Sequence, residues 1–333
     1  MALATDTTHQ LSVHRIDDAA AWDSLVDDCG GHPLQCWGWG ELKAGEHWSV
    51  LRLTVSRDSA PVGGAQILQR RLPGPLRPML YVPRGPFALP GHWQDVTAEI
   101  ARYCRDAVPA TLLTIEPDQV SGPAAPGWRR TTNTILIPRT LILDLARSEE
   151  ELLSAMAKKT RQYIRKSGRE GLQIERVSSA DGIDECLDIY HRTAHRAGFA
   201  LHGDRYYQDV AGTLGARSRL YAAYDDGQPI AFLWLAASRR TAFELYGGMN
   251  DRGQELRANY TLKWHAIRDC QRDGIERYDL NGLLNDGITT FKTGFATHED
   301  LLAGTFDLPL SPIYPLWARG LPAAKHALRA VRR

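Results

Sequence analysis

Three observations on this 333-residue chain predict an α+β fold built twice over. The length exceeds what one hydrophobic core usually serves, so two domains are expected. Both halves run in the same order: helical periodicity, a meander of strand-like segments, then a helix and a closing strand. Hydrophobic residues at 43% and charged residues at 24% are ordinary for a folded chain, which leaves no large disordered fraction to absorb the length.

In the first half, "HQLSVHRI" reads as a strand, and "DAAAWDSLVDDC" has helical spacing behind an Asp cap. "HWSVLRLTVSR" and "PVGGAQILQRRL" read as neighbouring strands about a turn at "DSAP". "MLYVPRGPF" is a strand ended by prolines, "WQDVTAEIARYCRDA" a helix and "ATLLTIEPD" a buried strand.

The pattern restarts after "TILIPRTLILDL". Residues 148–171 read as one helix with Ser148 as cap, Glu151 at the capping-box position and Gly171 as stop. "LQIERVS" follows as a strand, then "GIDECLDIYHRTAHRAG" and "DRYYQDVAGTLG" as helices. Residues 218–249 read as three antiparallel strands joined at "DDGQ" and "SRR". "ANYTLKWHAIRDCQRDG" closes as a helix and "IERYDLNG" as a strand. The break between domains is expected near Asp144 to Ser148. This gives a first domain of 1–146, with the tail 306–333 packing on it, and a second of 147–305. The order resembles two tandem acetyltransferase-like (GNAT-like) domains, without a coiled-coil arm.

A formal net charge of +1 argues against nucleic-acid binding through bulk charge, so any such contact needs a local patch. Five scattered cysteines with no C-x-x-C pair, and no apolar run of membrane-spanning length, point to a reducing, cytoplasmic setting. Only seven of the 40 basic residues are lysines, so each lysine is informative. Acetyltransferases of this fold cradle a pyrophosphate on a glycine-rich turn that opens a helix. The corresponding turn, "ELRANYTLKW", supplies no glycine for close backbone approach, and no "GxxxxGK[ST]" or "GxGxxG" stands elsewhere.

Seven stretches carry a resemblance in their order and spacing: "HPLQCWGWGELK", "YVPRGP", "KKTRQYIRKSGREG", "TAHRAGF", "YGGM", "YDLNG" and "FKTGF". Over nearly its whole length the chain resembles the Fem family of aminoacyl-tRNA-dependent peptidyltransferases, in its compact, armless type. The resemblance implies transfer of an amino acid from aminoacyl-tRNA to an amine on the stem peptide of a peptidoglycan precursor. The acceptor would be lipid II or the nucleotide-linked UDP-MurNAc-pentapeptide. Aminoacyl-tRNA would be a co-substrate, and no cofactor or metal is implied.

Such an ester is already activated, so the enzyme mainly positions an amine and stabilises the developing oxyanion. Lys292, flanked by Phe291 and Phe295, is the candidate oxyanion partner, since a partly desolvated cation acts more strongly. Glu116, at the end of "LLTIEP", matches an acidic position of the family, and the resemblance makes it the candidate to take a proton from the attacking ammonium or to hold the acceptor's amine. Lys43 ends a "Q-x-x-x-W-x-x-x-K" stretch with Gln35 and Trp39, placed on one helical face by i, i+4 spacing. It is the candidate for the acceptor's diphosphate. Arg205 and Arg196 are alternatives for the same task, and Tyr206, Tyr207 and Tyr246 are candidate hydrogen-bonding partners of the acceptor. Lys158, Lys159, Arg161 and Arg165 form a cationic stripe for phosphates of tRNA or of the precursor.

The basic, periodically apolar tail "LWARGLPAAKHALRAVRR" is a candidate for peripheral contact with anionic membrane as well as for packing on the first domain. His191 and His195 have metal-pair spacing but no accompanying glutamate or third ligand, and read as surface histidines. Three other readings remain: the same ester chemistry on a peptide or amine natural product, an acyl-coenzyme A N-acyltransferase, or a non-catalytic binding protein.

Overall fold

The computed structural model describes residues 10–45, 47–284 and 287–320. They form two compact units. One takes the described residues of Met1–Gly31, Gln35–Leu136 and Ala303–Arg333, and the other takes His32–Leu34 and Ile137–Leu302.

The first unit is built on one eight-stranded sheet. Leu11–Arg15, Trp48–Arg57, Ala60–Arg70 and Met79–Pro83 pair antiparallel in chain order. The chain then crosses through the helix Trp93–Ala107, and Leu112–Glu116 joins Met79–Pro83 in parallel. Thr305–Pro309 extends the sheet on Leu112–Glu116. The crossover helix has Val96, Ile100, Ala101 and Cys104 on its buried face, the i, i+4 stripe expected of a helix lying on a sheet.

The second unit repeats the scheme with a six-stranded sheet. Gln173–Val177, Ser218–Asp225, Gln228–Ala237 and Thr241–Met249 pair antiparallel. The helix Ala258–Arg272 crosses over, and Arg277–Asp279 joins Thr241–Met249 in parallel. In both units the one parallel junction follows a helical crossover, because parallel neighbours cannot be joined by a tight hairpin.

Three expectations need correction. The division falls at Leu136, earlier than the expected boundary at 146, because Ile142–Asp144 pairs with Arg277–Asp279 and completes the second sheet. Ala303 and Gly304 likewise belong with the first unit rather than with 147–305. Residues 148–171 are two helices, Glu149–Ala155 and Lys158–Ser167. The first has the expected capping box of Ser148 and Glu151. Met156 and Ala157 are extended, and the freed carbonyls of Leu153, Ser154 and Met156 accept from the Arg161 guanidinium at 3.5, 3.2 and 2.5 Å.

The start of the tail packs on the first unit. Tyr314 is buried with Leu68, Met79, Tyr81 and Leu112, and its hydroxyl donates to Asp307 at 3.1 Å. Of the periodic apolar residues of the tail, Trp317 is partly buried against this cluster, and Leu321, Ala324, Leu328 and Val331 lie outside the described residues. Among the described residues no helix is long and apolar enough to cross a membrane.

Candidate active site

In the second unit Lys292 lies on the short helix Gly287–Thr293 and is half-buried. Its ammonium donates to the carbonyls of Asn281 at 2.9 Å and Gly282 at 3.4 Å. Among the described residues, two carbonyls thus take two of its three donors. Asn281 can present its carbonyl this way because it sits in the left-handed region at φ 57°, which Asn tolerates better than most residues. The Asp279 carboxylate accepts the Asn281 N–H at 2.7 Å and Thr140 Oγ1 at 2.5 Å, which fixes the turn to the strand end.

The glycine of "FKTGF" has a steric reason. A Cβ at Gly294 would come within 2.4 Å of Thr160 Oγ1, and the Gly294 carbonyl accepts the Ala157 N–H at 2.9 Å. The loop after Lys292 is therefore seated on the start of the helix Lys158–Ser167.

Lys292 was expected between the rings of Phe291 and Phe295, but the cation over those rings is another lysine. Lys263 Nζ lies 4.9 Å from the Phe291 centroid and 5.4 Å from that of Phe295. Lys263 is buried and donates to both oxygens of the buried Glu244, at 2.6 and 2.8 Å. Tyr278 Oη donates to Glu244 Oε1 at 2.9 Å. Burial pushes the Lys263 ammonium down from its ordinary value to about 8; Glu244 pulls it back up and Lys292 pushes it lower. Tyr260 packs edge-on against Phe291 at 5.0 Å and completes an aromatic floor. The site therefore holds two neighbouring cations, one buried and ion-paired, one half-exposed.

Sequence reasoning missed Lys263, Glu244, Tyr278 and Asn281. Two signals were available. Lys263 lies between Leu262 and Trp264 in the crossover helix, and Glu244 alternates with apolar residues in a central strand. Each is a charge on a buried face, which implies a partner.

Tyr206, Tyr207 and Tyr246 do come together. Tyr206 Oη and Tyr246 Oη are 3.3 Å apart, and the Tyr207 ring stands edge-on to both. Tyr190 joins them, and the ring of His202 stacks on Tyr206 at 4.1 Å between centroids. Burial, then the neighbouring Tyr206, raises the Tyr246 hydroxyl far above its ordinary value, so it acts as a neutral donor or acceptor. Tyr207 is buried, its hydroxyl accepting the His202 N–H at 3.2 Å, and supports the cluster from below.

Arg205 is exposed on the helix Asp204–Leu214. Arg196 is instead tied down, to the Met249 carbonyl at 3.1 Å and to Asp251 at 3.4 Å. His191 pairs with Asp204 at 2.7 Å on the surface.

Lys158, Lys159 and Arg165 are exposed along their helix. Arg161 differs from these: it is half-buried, and its Nη1 caps the preceding helix by donating to the Ser154 and Met156 carbonyls. At the start of the crossover helix, Arg257 occupies the left-handed position at φ 55° where a cradle would use glycine. Its guanidinium lies 3.8 Å from the Tyr163 ring centroid.

In the first unit Lys43 ends the helix Trp37–Lys43, its ammonium 4.6 Å from the Trp39 ring centroid. The i, i+4 pair is as expected, but Gln35 precedes this helix in a separate 3₁₀ turn. Gln35 is buried and bonds the Gln66 N–H and the Pro83 carbonyl.

Glu116 is also corrected. It is buried, and its oxygens accept from Tyr81 Oη (2.5 Å), Ile135 N (2.7 Å), Leu136 N (3.0 Å) and Thr305 Oγ1 (2.7 Å). Four donors fill the four lone-pair sites of a carboxylate, which leaves none for a substrate proton. Glu116 instead ties residues 135–136 and 305 to the end of the interior strand Leu112–Glu116. Glu116→Gln is therefore expected to lower stability by about 1–3 kcal/mol, because its amide would face donors. The transfer rate per folded molecule should hold, as read by urea unfolding beside an active-site-normalised assay. A loss of rate without loss of stability would restore Glu116 to the chemistry.

Fold and site together define a tandem GNAT-like α+β protein. Residues 154–293 match the acetyltransferase (GNAT) domain family. Over 288 residues the chain is 24% identical to the Lipid II:glycine glycyltransferase of Staphylococcus aureus, a match spanning 81% of this chain. It spans only 63% of the length of that relative. Among solved structures, the crystal structure of FemX superposes with a TM-score of 0.83 at 17% identity, covering 92% of this chain and 100% of that one. A tandem GNAT protein from the clavulanic acid biosynthesis pathway superposes with a TM-score of 0.52 at 13% identity, covering 91% and 99%.

Proposed function

We propose that this protein is an aminoacyltransferase that moves an amino acid from aminoacyl-tRNA to an amine on the stem peptide of a peptidoglycan precursor. One observation carries the reading. The similarity to a lipid II glycyltransferase covers 81% of the chain, more than either unit alone, and in the second unit Lys292 stands on two backbone carbonyls as a fixed, half-buried cation.

In the proposed reaction the acceptor amine attacks the ester carbonyl, and the oxyanion that forms is stabilised by the Lys292 ammonium. The C–N bond forms and the ester C–O bond breaks. The amine's proton leaves, and the terminal ribose hydroxyl of the tRNA recovers one. No enzyme nucleophile is needed, in keeping with the five cysteines, of which four are buried and the fifth half-buried. Lys43 in the first unit and Arg205 in the second are each a candidate cation for the acceptor's diphosphate, and Tyr206 and Tyr246 are candidate hydrogen-bonding partners of the acceptor. A peripheral, cytoplasmic-face location follows from a lipid-linked acceptor.

The test mixes the protein with total charged tRNA and either lipid II or UDP-MurNAc-pentapeptide, and reads the mass gained by each acceptor. Product that survives ribonuclease treatment of the tRNA pool would overturn the reading. Turnover of acetyl-coenzyme A in its place would establish an acyl-coenzyme A N-acyltransferase.

The cationic stripe gives a separate expectation. Lys158→Gln, Lys159→Gln and Arg165→Gln should each weaken tRNA binding and flatten its salt dependence by about one counterion. Filter binding from low to physiological salt measures this. Arg161→Gln should act on stability as well, because its Nη1 caps the preceding helix.

A further inference from the structure

Beneath the candidate catalytic lysine runs a continuous chain of contacts that the proposed chemistry does not by itself require. Lys263 donates to both Glu244 oxygens. The Glu244 backbone carbonyl accepts from Asn281 Nδ2 at 2.9 Å. Asn281 Oδ1 accepts the Gly282 N–H at 2.7 Å, which locks the turn so that both carbonyls face Lys292 Nζ. Lys263 meanwhile supports Phe291 and Phe295, the rings on either side of Lys292 in the chain.

A buried ion pair is a costly way to hold a core together, since well-packed apolar residues usually do as well. Here the pair lies between the strand that anchors Asn281 and the rings that seat the Lys292 helix. We infer that Lys263, Glu244 and Asn281 are positioning residues, which set where the Lys292 ammonium stands against the reacting ester. This rests on the assignment of Lys292 to that ester.

Two variants test it. Lys263→Met/Glu244→Gln removes both charges together and leaves neither one stranded. Asn281→Gly keeps the left-handed backbone open but deletes the amide link, so it covers the case in which the first variant fails to fold.

The first readout needs no substrate: acylation of Lys292 by acetyl N-hydroxysuccinimide, followed by peptide mass mapping. Loss of the two carbonyl contacts should speed labelling in both variants. The second is a double-mutant cycle with Lys292→Ala on the single-turnover transfer rate. Each positioning variant alone should lose about 10²-fold, the cost of roughly 1 Å of misplacement. With Lys292 already gone, the same variant should cost little more, since the effect acts through that lysine.

Unchanged labelling in both variants would overturn the inference whatever the rates do. Faster labelling with additive rate losses would also overturn it. Full activity of Lys292→Ala together with faster labelling would remove the catalytic assignment while leaving the positioning of Lys292 itself established.

Discussion

Lys292→Ala should lower the single-turnover rate of aminoacyl transfer by about 10²–10³-fold, the usual consequence of deleting one oxyanion donor. Affinity for charged tRNA and for the acceptor should move little, because the ammonium is fixed by the protein's own carbonyls and gains its importance only when charge develops. A rise in acceptor KM with kcat unchanged would instead place Lys292 on a precursor phosphate. Lys292→Arg separates charge from geometry. A guanidinium keeps the charge but is planar and longer than the compact ammonium that fits the Asn281 and Gly282 carbonyls, so only partial rescue is expected. Full activity of Lys292→Ala would remove this residue from the chemistry.

The duplicated architecture was legible because each unit writes its periodicities plainly. The capping box at Ser148 and Glu151, the hairpin at Asp58 and Ser59, and the crossover helices all form where local patterns require them. The domain boundary was not legible, because Ile142–Asp144 is a short apolar strand whose partner lies far along the chain at Arg277–Asp279. Nothing local tells such a segment which sheet it will join.

The site divides in the same way. Lys43, Lys292 and the tyrosines are visible as residues out of keeping with their surroundings. Glu116 and Arg161 look equally out of keeping, yet the Glu116 oxygens are taken up by two hydroxyls and two backbone N–H groups, and Arg161 Nη1 by helix carbonyls, that only the fold brings near. A charge in the sequence thus signals that a partner exists. It does not say whether that partner is a substrate or the end of a helix. Lys263 shows the converse: its apolar neighbours in the sequence hide it, although it stands nearer the aromatic rings than Lys292 was expected to.

Lys263→Met alone should be the most destabilising of these substitutions, by about 3–5 kcal/mol, because it leaves the Glu244 carboxylate buried without its cation. Lys263→Met/Glu244→Gln should recover most of that loss, since no charge then remains to be desolvated. The wild-type pair also predicts a pH dependence of definite sign. Folded Lys263 holds its proton less tightly than an ordinary lysine, about 8 against 10.5. Between those values the unfolded chain binds the extra proton, so the contribution of this group to stability rises with pH, by up to about 1.4 kcal/mol per pH unit. Below about 8 both states are protonated and the contribution is flat. Buried cysteines and tyrosines such as Cys104 and Tyr81, held protonated by burial, pull the other way from about pH 9 upward, but both proteins share them, so the difference between wild type and the paired variant over pH 8 to 9.5 isolates the pair. Urea midpoints for wild type minus the paired variant should climb through that window. A difference that stayed level or fell would mean that Glu244 holds the Lys263 proton as firmly as water does, and that the buried pair is no weaker a base than an exposed lysine.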